Sequence, residues 1–349
     1  MKIENNYNLS KLNTFGINVN TKFFAMVESE KDLEELFNLP EFKNNKKIFL
    51  GGGSNMLFTK DFEGIVVLNK LKGIEIVKED IENVLIRSMG GEFWQDLVAF
   101  TVDHGYWGIE NLAAIPGTVG ATPVQNIGAY GVELKDTLYD VEAFNIENGE
   151  KKIFSKEECE LGYRESIFKN KLKGKYFISA VILKLSKKPA RQLAGRGKKM
   201  YPALRDFLEK NKIEVKNSKD ISNAVIAIRR SKLPDPKVLG NAGSFFKNVF
   251  VSREHLRVLQ KNYSDLPYFE DNGEIKIPAG WLVEQCGPTD GISWKGYKSG
   301  NVGVYEKQSL VLVNYGKASG VEILDLVNKI IVSVREKFGL ELMPEVNIV

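Results

Sequence analysis

The segment Ile115 to Gly131 reads IPGTVGATPVQNIGAYG, an uncharged run broken by Pro116 and Pro123 and by Gly117, Gly120, Gly128 and Gly131. Glycine weakens regular elements and proline removes a backbone donor, so this run is neither a helix nor a central strand. Small residues without charge suit backbone lying along a flat, extended ligand, with Thr118, Thr122, Gln125 and Asn126 as polar side chains beside it. A second glycine loop stands upstream, where the apolar KKIFL leads straight into Gly51, Gly52, Gly53, Ser54 and Asn55. Successive N–H groups there can form an anion-binding nest, and Ser54 and Asn55 can add donors. Neither a Walker loop nor the GxGxxG of a dinucleotide fold is present, and neither loop alone specifies a nucleotide.

The 349 residues exceed one ordinary core and predict two or three domains. Apolar residues make up 43% and charged residues 27%, close to soluble averages. No apolar run is long enough to span a membrane, and the polar MKIENNYNLSKLNTFG has no signal-peptide core, so a cytoplasmic protein is expected. Cys159 and Cys286 lie far apart with no CxxC or histidine neighbourhood, so both read as core residues and no metal site is expected. With 49 basic and 45 acidic side chains, the net charge of +4 does not announce a nucleic-acid protein. One segment is locally basic, Lys187 to Lys212, with Lys187, Lys188, Arg191, Arg196, Lys198, Lys199, Arg205, Lys210 and Lys212. It reads as a solvated connector between domains, the alternative being an electropositive mouth for a phosphate-bearing substrate.

Strand and helix patterns alternate. Ser29 and Asp32 form a capping-box start for a helix to about Leu39. Short strands follow at GIVVLN and NVLIRSMGG, then a helix near Gly91 to His104 with Trp94, Leu97, Val98, Thr101 and Val102 on one face. Strands are expected around Leu138 to Ile146 and Tyr176 to Leu185, a helix from Ile221 to Arg230, and a long helix whose face carries Val321, Leu324, Val327, Ile331, Val334 and Phe338, closed by Gly339. In GNAGSFFKN, Gly240 and Gly243 set Ser244 on adaptable backbone, Phe245 and Phe246 can wall it from water, and Lys247 can supply charge.

Motifs over nearly the whole chain resemble the UDP-N-acetylenolpyruvoylglucosamine reductases, the MurB flavoenzymes of bacterial cell-wall synthesis. They are NTFGI at Asn13, GGGSN at Gly51, GIENLAAIPGTVGATPVQNIGAYGVEL from Gly108, GYRESIFK from Gly162, KLPDPKVLGNAGSFFKN from Lys232, AGWLVEQCG from Ala279 and PEV at Pro344. The resemblance implies an α+β fold, with a bipartite FAD-binding unit of the vanillyl-alcohol oxidase (PCMH) type and a C-terminal substrate-binding domain. The corresponding boundaries are 1–75 and 76–212 for the FAD-binding subdomains and 213–339 for the substrate domain, with the strand 340–349 returning near the first. The loop around Leu266 to Tyr268 looks like that of the long-loop form.

The implied chemistry is reduction of a vinyl ether, UDP-N-acetylglucosamine enolpyruvate, with NADPH as co-substrate and FAD as the hydride carrier. The resulting enolate needs a proton donor and stabilisation at its carboxylate. Ser244 matches the family's proton donor, Arg164 suits a bidentate grip on the carboxylate, and Glu345 matches the third catalytic residue. Cofactor contacts are implied for Gly51, Gly52, Gly53, Ser54, Asn55, Ile115, Pro116, Gly117, Thr118, Gly120, Ala121, Thr122, Gln125, Asn126 and Gly128. Substrate contacts are implied for Tyr130, Lys232, Asn248, Tyr268 and Gln308, with Phe269 an alternative to Tyr268, and for Tyr201. Around Tyr201 the family shows Leu-x-Tyr-x-x-Leu where this chain has the more basic LAGRGKKMYPALRDFL, and Val249 stands where proline is common. The implied partner is the UDP-sugar alone, with no nucleic acid or membrane and a monomeric state. Two rivals share the glycine loops: a flavin oxidase or dehydrogenase of the same fold acting on another alcohol or sugar, and a non-catalytic nucleotide-binding protein.

Overall fold

The computed structural model describes residues 1–189, 200–271 and 273–349. By contacts the chain forms two units, the first from Met1–Tyr7, Thr21–Gly52 and Glu63–Ser231, the second from Asn8–Asn20, Gly53–Phe62 and Lys232–Val349.

The first unit holds a four-stranded sheet in the order Ile3–Asn8, Asn20–Val27, Phe62–Asn69, Lys46–Leu50, the last two running parallel. Ile65, Val66, Val67 and Leu68 are all buried, which is why GIVVLN reads as an unbroken apolar run rather than an alternating one. The helix Glu30–Asn38 starts where expected, with the Asp32 N–H donating to Ser29 Oγ at 3.2 Å and the Ser29 N–H to Asp32 Oδ2 at 2.8 Å. It presses Leu33, Leu36 and Phe37 onto Ala25, Val27, Ile65 and Val67.

A five-stranded antiparallel sheet completes this unit, in the order Lys151–Ser155, Leu138–Asn145, Tyr176–Ser186, Asn83–Met89, Ile74–Glu79. Its polar face is clamped by Glu142, which takes two hydrogen bonds from Arg87 at 2.7 and 2.8 Å and pairs with Lys151 at 2.8 Å. The helix Trp94–Asp103 buries Trp94, Leu97, Val98, Thr101 and Val102, the face that its periodicity indicates, and the Trp94 Nε1–H donates to the Leu112 carbonyl at 2.9 Å. The helices Pro202–Lys210 and Ser218–Lys232 deliver Leu204, Leu208, Ile221, Ala224, Val225 and Ile228 into the same core. The sequence reading set a boundary at 213 and read Lys187 to Lys212 as a connector, but its C-terminal part is a packed helix. Apolar Leu204 and Leu208 at helical spacing were masked there by the surrounding charge. Arg191, Arg196, Lys198 and Lys199 lie outside the described residues, while Lys187 and Lys188 pair with Glu79 and Glu82, each at 2.9 Å.

The second unit contains an antiparallel sheet in the order Gly240–Ser244, Val311–Asn314, Val302–Val304, Lys298–Ser299, and a smaller one in the order Val249–Val251, Glu274–Ile277, Phe269–Asp271. Its long helix, Gly320–Phe338, has a capping box between Ser319 and Glu322 and ends on Gly339 at φ +65°. The buried face is centred on Ile323, Leu326, Val327, Ile330 and Val334, and Val321 is exposed. The helix is apolar on more than one side, so the sequence pattern admits a face rotated from the true one. The strand Asn347–Ile348 pairs in parallel with Met56–Leu57. Cys159 and Cys286 are free and buried, and burial pushes the Cys159 thiol up to about 12. Among the described residues no cluster of side chains could hold a metal, and no helix is long and apolar enough to cross a membrane.

Candidate active site

In the first unit the two glycine loops lie on one another. A methyl group on Gly51 would collide with Thr118 Oγ1, and one on Gly52 would stand 2.8 Å from the Gly117 Cα. The requirement for glycine is therefore mutual close approach of two backbones. The second loop is built of turns. Single 3-10 turns span Val119–Ala121 and Pro123–Gln125, the Thr122 hydroxyl donates to the Val119 carbonyl at 2.7 Å, and the Gly120 N–H donates to the Gly90 carbonyl at 2.9 Å. Ile115 and Gln125 are half-buried and Pro116 and Ala121 exposed. Asn126 is wholly buried at φ +44°, its amide donating to Glu133 at 3.0 Å and to the Gly162 carbonyl at 2.8 Å while it accepts from the Lys135 N–H. Its side chain is thus spent on holding the loop.

Arg164 is anchored to the same loop. Its Nη2 donates to the Gly128 carbonyl at 2.9 Å, and its backbone is held at φ +56° by the Gly162–Glu165 bridge and by Lys169, whose Nζ reaches the Arg164 carbonyl at 3.1 Å. Tyr130 also has a positive φ, +49°, with the Asn111 amide donating to its carbonyl at 2.9 Å; burial raises its phenol pKa. Tyr201 packs on it edge to face, ring centroids 5.6 Å apart. Two residues joined only by family resemblance, one of them in a departing stretch of sequence, thus sit side by side. Ala114, Asn126, Tyr130 and Arg164 all adopt left-handed backbone that a side chain disfavours, a strain that persists where surrounding structure enforces it and often marks a functional site.

In the second unit Ser244 ends the strand Gly240–Ser244 beyond a bulge, where register shifts between Asn241 and Ser244. Gly243, at φ +70°, donates its N–H to Asn241 Oδ1 at 3.0 Å and turns the chain. Ser244 is consequently exposed rather than walled in, while Phe245 and Phe246 are buried beneath it. The PEV segment runs alongside: the Glu345 N–H donates to the Phe245 carbonyl at 2.7 Å, and the Lys247 N–H to the Met343 carbonyl at 2.9 Å. Asn55 holds this segment from the other side, its amide donating to the Glu345 carbonyl at 3.2 Å and its own carbonyl accepting from the Asn347 N–H at 3.0 Å. Gly53, at φ +63°, accepts from the Thr14 N–H at 3.1 Å, and half-buried Ser54 follows. The Glu345 backbone is thereby paired with Phe245, the residue after Ser244, and Asn55 holds the Glu345 carbonyl.

The remaining substrate candidates of this unit fall in two places. Asn248 accepts from the Ala279 N–H at 3.0 Å, and Gln308 lies close to Gly280, so both flank the start of the helix Ala279–Glu284. Lys232 is exposed, as are Tyr268 and Phe269, which leaves the choice between those aromatics where the sequence left it. Sequence reasoning passed over Arg229, Asn111 and Gln95, which hold the flanks of the long glycine loop; Asn111 lies inside a quoted motif, but nothing in its residue type set it apart.

Residues 21–154 match the model of an FAD binding domain, and residues 235–349 match the C-terminal domain of UDP-N-acetylenolpyruvoylglucosamine reductase. The UDP-N-acetylenolpyruvoylglucosamine reductase of Flavobacterium johnsoniae is 47% identical, with 100% of each chain covered. The chain belongs to this reductase family. The crystal structure of UDP-N-acetylenolpyruvylglucosamine reductase (MurB) from Thermus caldophilus superposes with a TM-score of 0.64 at 22% identity, covering 100% of this chain and 99% of that one. A solvent-stable cholesterol oxidase shares the fold with a TM-score of 0.50 at 12% identity, covering 97% and 86%. The reductase fold expected from the sequence, an FAD-binding part followed by a C-terminal domain, is thus the one present.

The first unit fits FAD. Among the described residues the N–H groups of Gly52 and Gly117 meet no acceptor, and the buried Thr118 Oγ1 has no hydrogen-bond partner. A buried hydroxyl without a partner is costly unless a ligand satisfies it, and a cofactor with anionic phosphates and a flat ring supplies acceptors for it and for the closely approached backbone.

Proposed function

We propose that this reductase converts UDP-N-acetylglucosamine enolpyruvate to UDP-N-acetylmuramate for peptidoglycan synthesis in the cytoplasm, as a monomer, with NADPH as reductant. Gly51–Gly52 and the Ile115–Gly128 loop would hold FAD, which when bound would supply the hydride-transfer chemistry between NADPH and the vinyl ether. The sheets of the first unit would be its two flavin-binding lobes, 1–75 and 76–212, and the Lys232–Val349 segment the main substrate-binding part.

Ser244 donates the proton that converts the substrate's enolate to product. A serine hydroxyl is a weak acid, so it needs a neighbour to relay or stabilise charge, and Glu345 is the group that the backbone holds next to it. Arg164 takes the enolate carboxylate between its guanidinium N–H groups, for which a planar, permanently charged fork is suited. Its anchorage to the Gly128 carbonyl limits the side-chain entropy lost on binding. Tyr130, Tyr201, Lys232, Asn248, Tyr268 and Gln308 hold the UDP-sugar. The observation that supports this reading is the backbone hydrogen bond from Glu345 to Phe245, the residue that follows the exposed Ser244. Anaerobic stopped-flow absorbance tests it: NADPH should bleach the flavin band and the enolpyruvyl substrate restore it. Bleaching without recovery would favour an oxidase or dehydrogenase for another substrate, and absence of a flavin band after adding FAD would favour a nucleotide-binding protein.

A further inference from the structure

Gly128–Ala129 and Val132–Glu133 form a small antiparallel hairpin in which Glu133 lies opposite Gly128. Its two-residue connection, Tyr130 and Gly131, has φ of +49° and +82°, the left-handed pair that a type I′ turn requires. One strand of this hairpin carries the Gly128 carbonyl on which Arg164 Nη2 rests at 2.9 Å, and Arg164 Nη1 lies 3.5 Å from the Asn126 carbonyl just before it. The half-buried Glu133 side chain braces that platform. It accepts from the Asn126 amide at 3.0 Å, pairs with Lys135 at 2.7 Å and takes the Asp136 N–H, capping the turn Leu134–Asp136. A cap alone calls for a short side chain, Ser, Thr, Asp or Asn. The longer glutamate reaches both the cap and Asn126. A methyl group on Gly128 would stand 2.9 Å from Glu133 Cγ and 3.1 Å from Arg164 Nη1, so glycine there lets the two side chains cross the hairpin close to one another.

We propose that Glu133 is a positioning residue for Arg164: through Asn126 it fixes the two carbonyls on which the guanidinium rests, and so aims the fork at the substrate's carboxylate. Asn126 holds left-handed backbone, φ +44°, that its contacts enforce. Without the Glu133 brace that turn relaxes, and the Gly128 carbonyl moves with it. A misplacement of about 1 Å at a catalytic group can cost about a hundredfold in rate. This inference rests on the assignment of Arg164 to the enolate carboxylate.

The test is anaerobic stopped flow of both half-reactions in Glu133→Asp and Glu133→Gln. Glu133→Asp keeps a charged capping residue but is one methylene short of Asn126, so flavin reoxidation by the enolpyruvyl substrate should slow about tenfold to a hundredfold while reduction by NADPH stays within about threefold of the parent. Glu133→Gln keeps the length and an accepting oxygen, and should recover most of the lost rate. Reoxidation at the parent rate in Glu133→Asp, which a capping role alone would give, would overturn the assignment, as would equal slowing of both half-reactions or no recovery in Glu133→Gln. In an Arg164→Ala background, Glu133→Asp should slow reoxidation no further, because the brace then has nothing to aim; a fully additive loss would also overturn it. If Glu133→Asp does not fold, Glu133→Ser, another capping residue, takes its place. Arg164→Ala that slows both half-reactions equally, or neither, would instead refute the reading of Arg164, an outcome separable from a failure of Glu133.

Discussion

Gly52→Ala is the substitution whose effect the geometry sets most directly. The added methyl would lie 2.8 Å from the Gly117 Cα and 3.4 and 3.5 Å from its carbonyl carbon and nitrogen, all backbone atoms. Carbon atoms rest comfortably about 3.5–4.0 Å apart, so the loops must separate by about 0.7 Å or more. No rotamer change relieves this, and Gly117 sits at φ +121°, where its own conformation has little room to adapt. Forced overpacking of this kind costs about 1–3 kcal/mol. Without cofactor, loops made of turns can part and shed some of the strain; with FAD bound they must close, so the cost falls mainly on binding. FAD affinity should drop about tenfold to a hundredfold. Flavin fluorescence titration of the apoprotein measures it, and thermal melts with and without FAD check that the variant folds and that the rise in Tm on adding FAD shrinks. Unchanged affinity with an unchanged melt would refute the claim that the loops must touch to hold the cofactor.

Other outcomes follow from the same structure. Two hydrogen bonds from Arg87, with Lys151 assisting and burial opposing, hold the Glu142 carboxyl down to about 2 from an ordinary 4.5, a difference of about 3 kcal/mol. Because the folded value is depressed, that stability is present above about pH 4.5 and is lost as pH falls toward 2. The difference in chemical-denaturation stability between parent and Glu142→Gln should narrow over that window, and a constant difference would contradict it. Arg164→Lys keeps charge but loses the fork, and should slow flavin reoxidation by the enolpyruvyl substrate by about two to three orders of magnitude while leaving reduction by NADPH within a few-fold; equal slowing of both would count against a grip on the enolate. Asn55→Ala removes the amide that reaches the Glu345 carbonyl at 3.2 Å and should slow the same half-reaction more than it weakens FAD binding. Loss confined to FAD affinity would return Asn55 to a cofactor role alone.

The glycine loops were legible because their composition forbids ordinary elements, and the structure adds the reason: Gly52 and Gly117 touch. The Trp94–Asp103 face was legible because its opposite side is polar, whereas Gly320–Phe338 has apolar residues on more than one side and was read rotated. The helix Pro202–Lys210 was hidden because lysines and arginines around Leu204 and Leu208 look like a solvated connector. Ser244 was expected to be shielded by Phe245 and Phe246, but a bulge, which depends on partner-strand register, turns it outward. Arg229 gives no signal in one sequence, since a lone arginine on an amphipathic helix is ordinarily a surface residue, and its burial comes from packing over the Ala114 turn.

The central claim, that Ser244 protonates the substrate's enolate, is tested most directly by separating the half-reactions of Ser244→Ala under anaerobic stopped flow. The account predicts flavin reduction by NADPH close to that of the parent and reoxidation by UDP-N-acetylglucosamine enolpyruvate slowed by about two to four orders of magnitude, the contribution of a positioned proton donor. Reoxidation at the parent rate, or an equal slowing of both half-reactions, would contradict it.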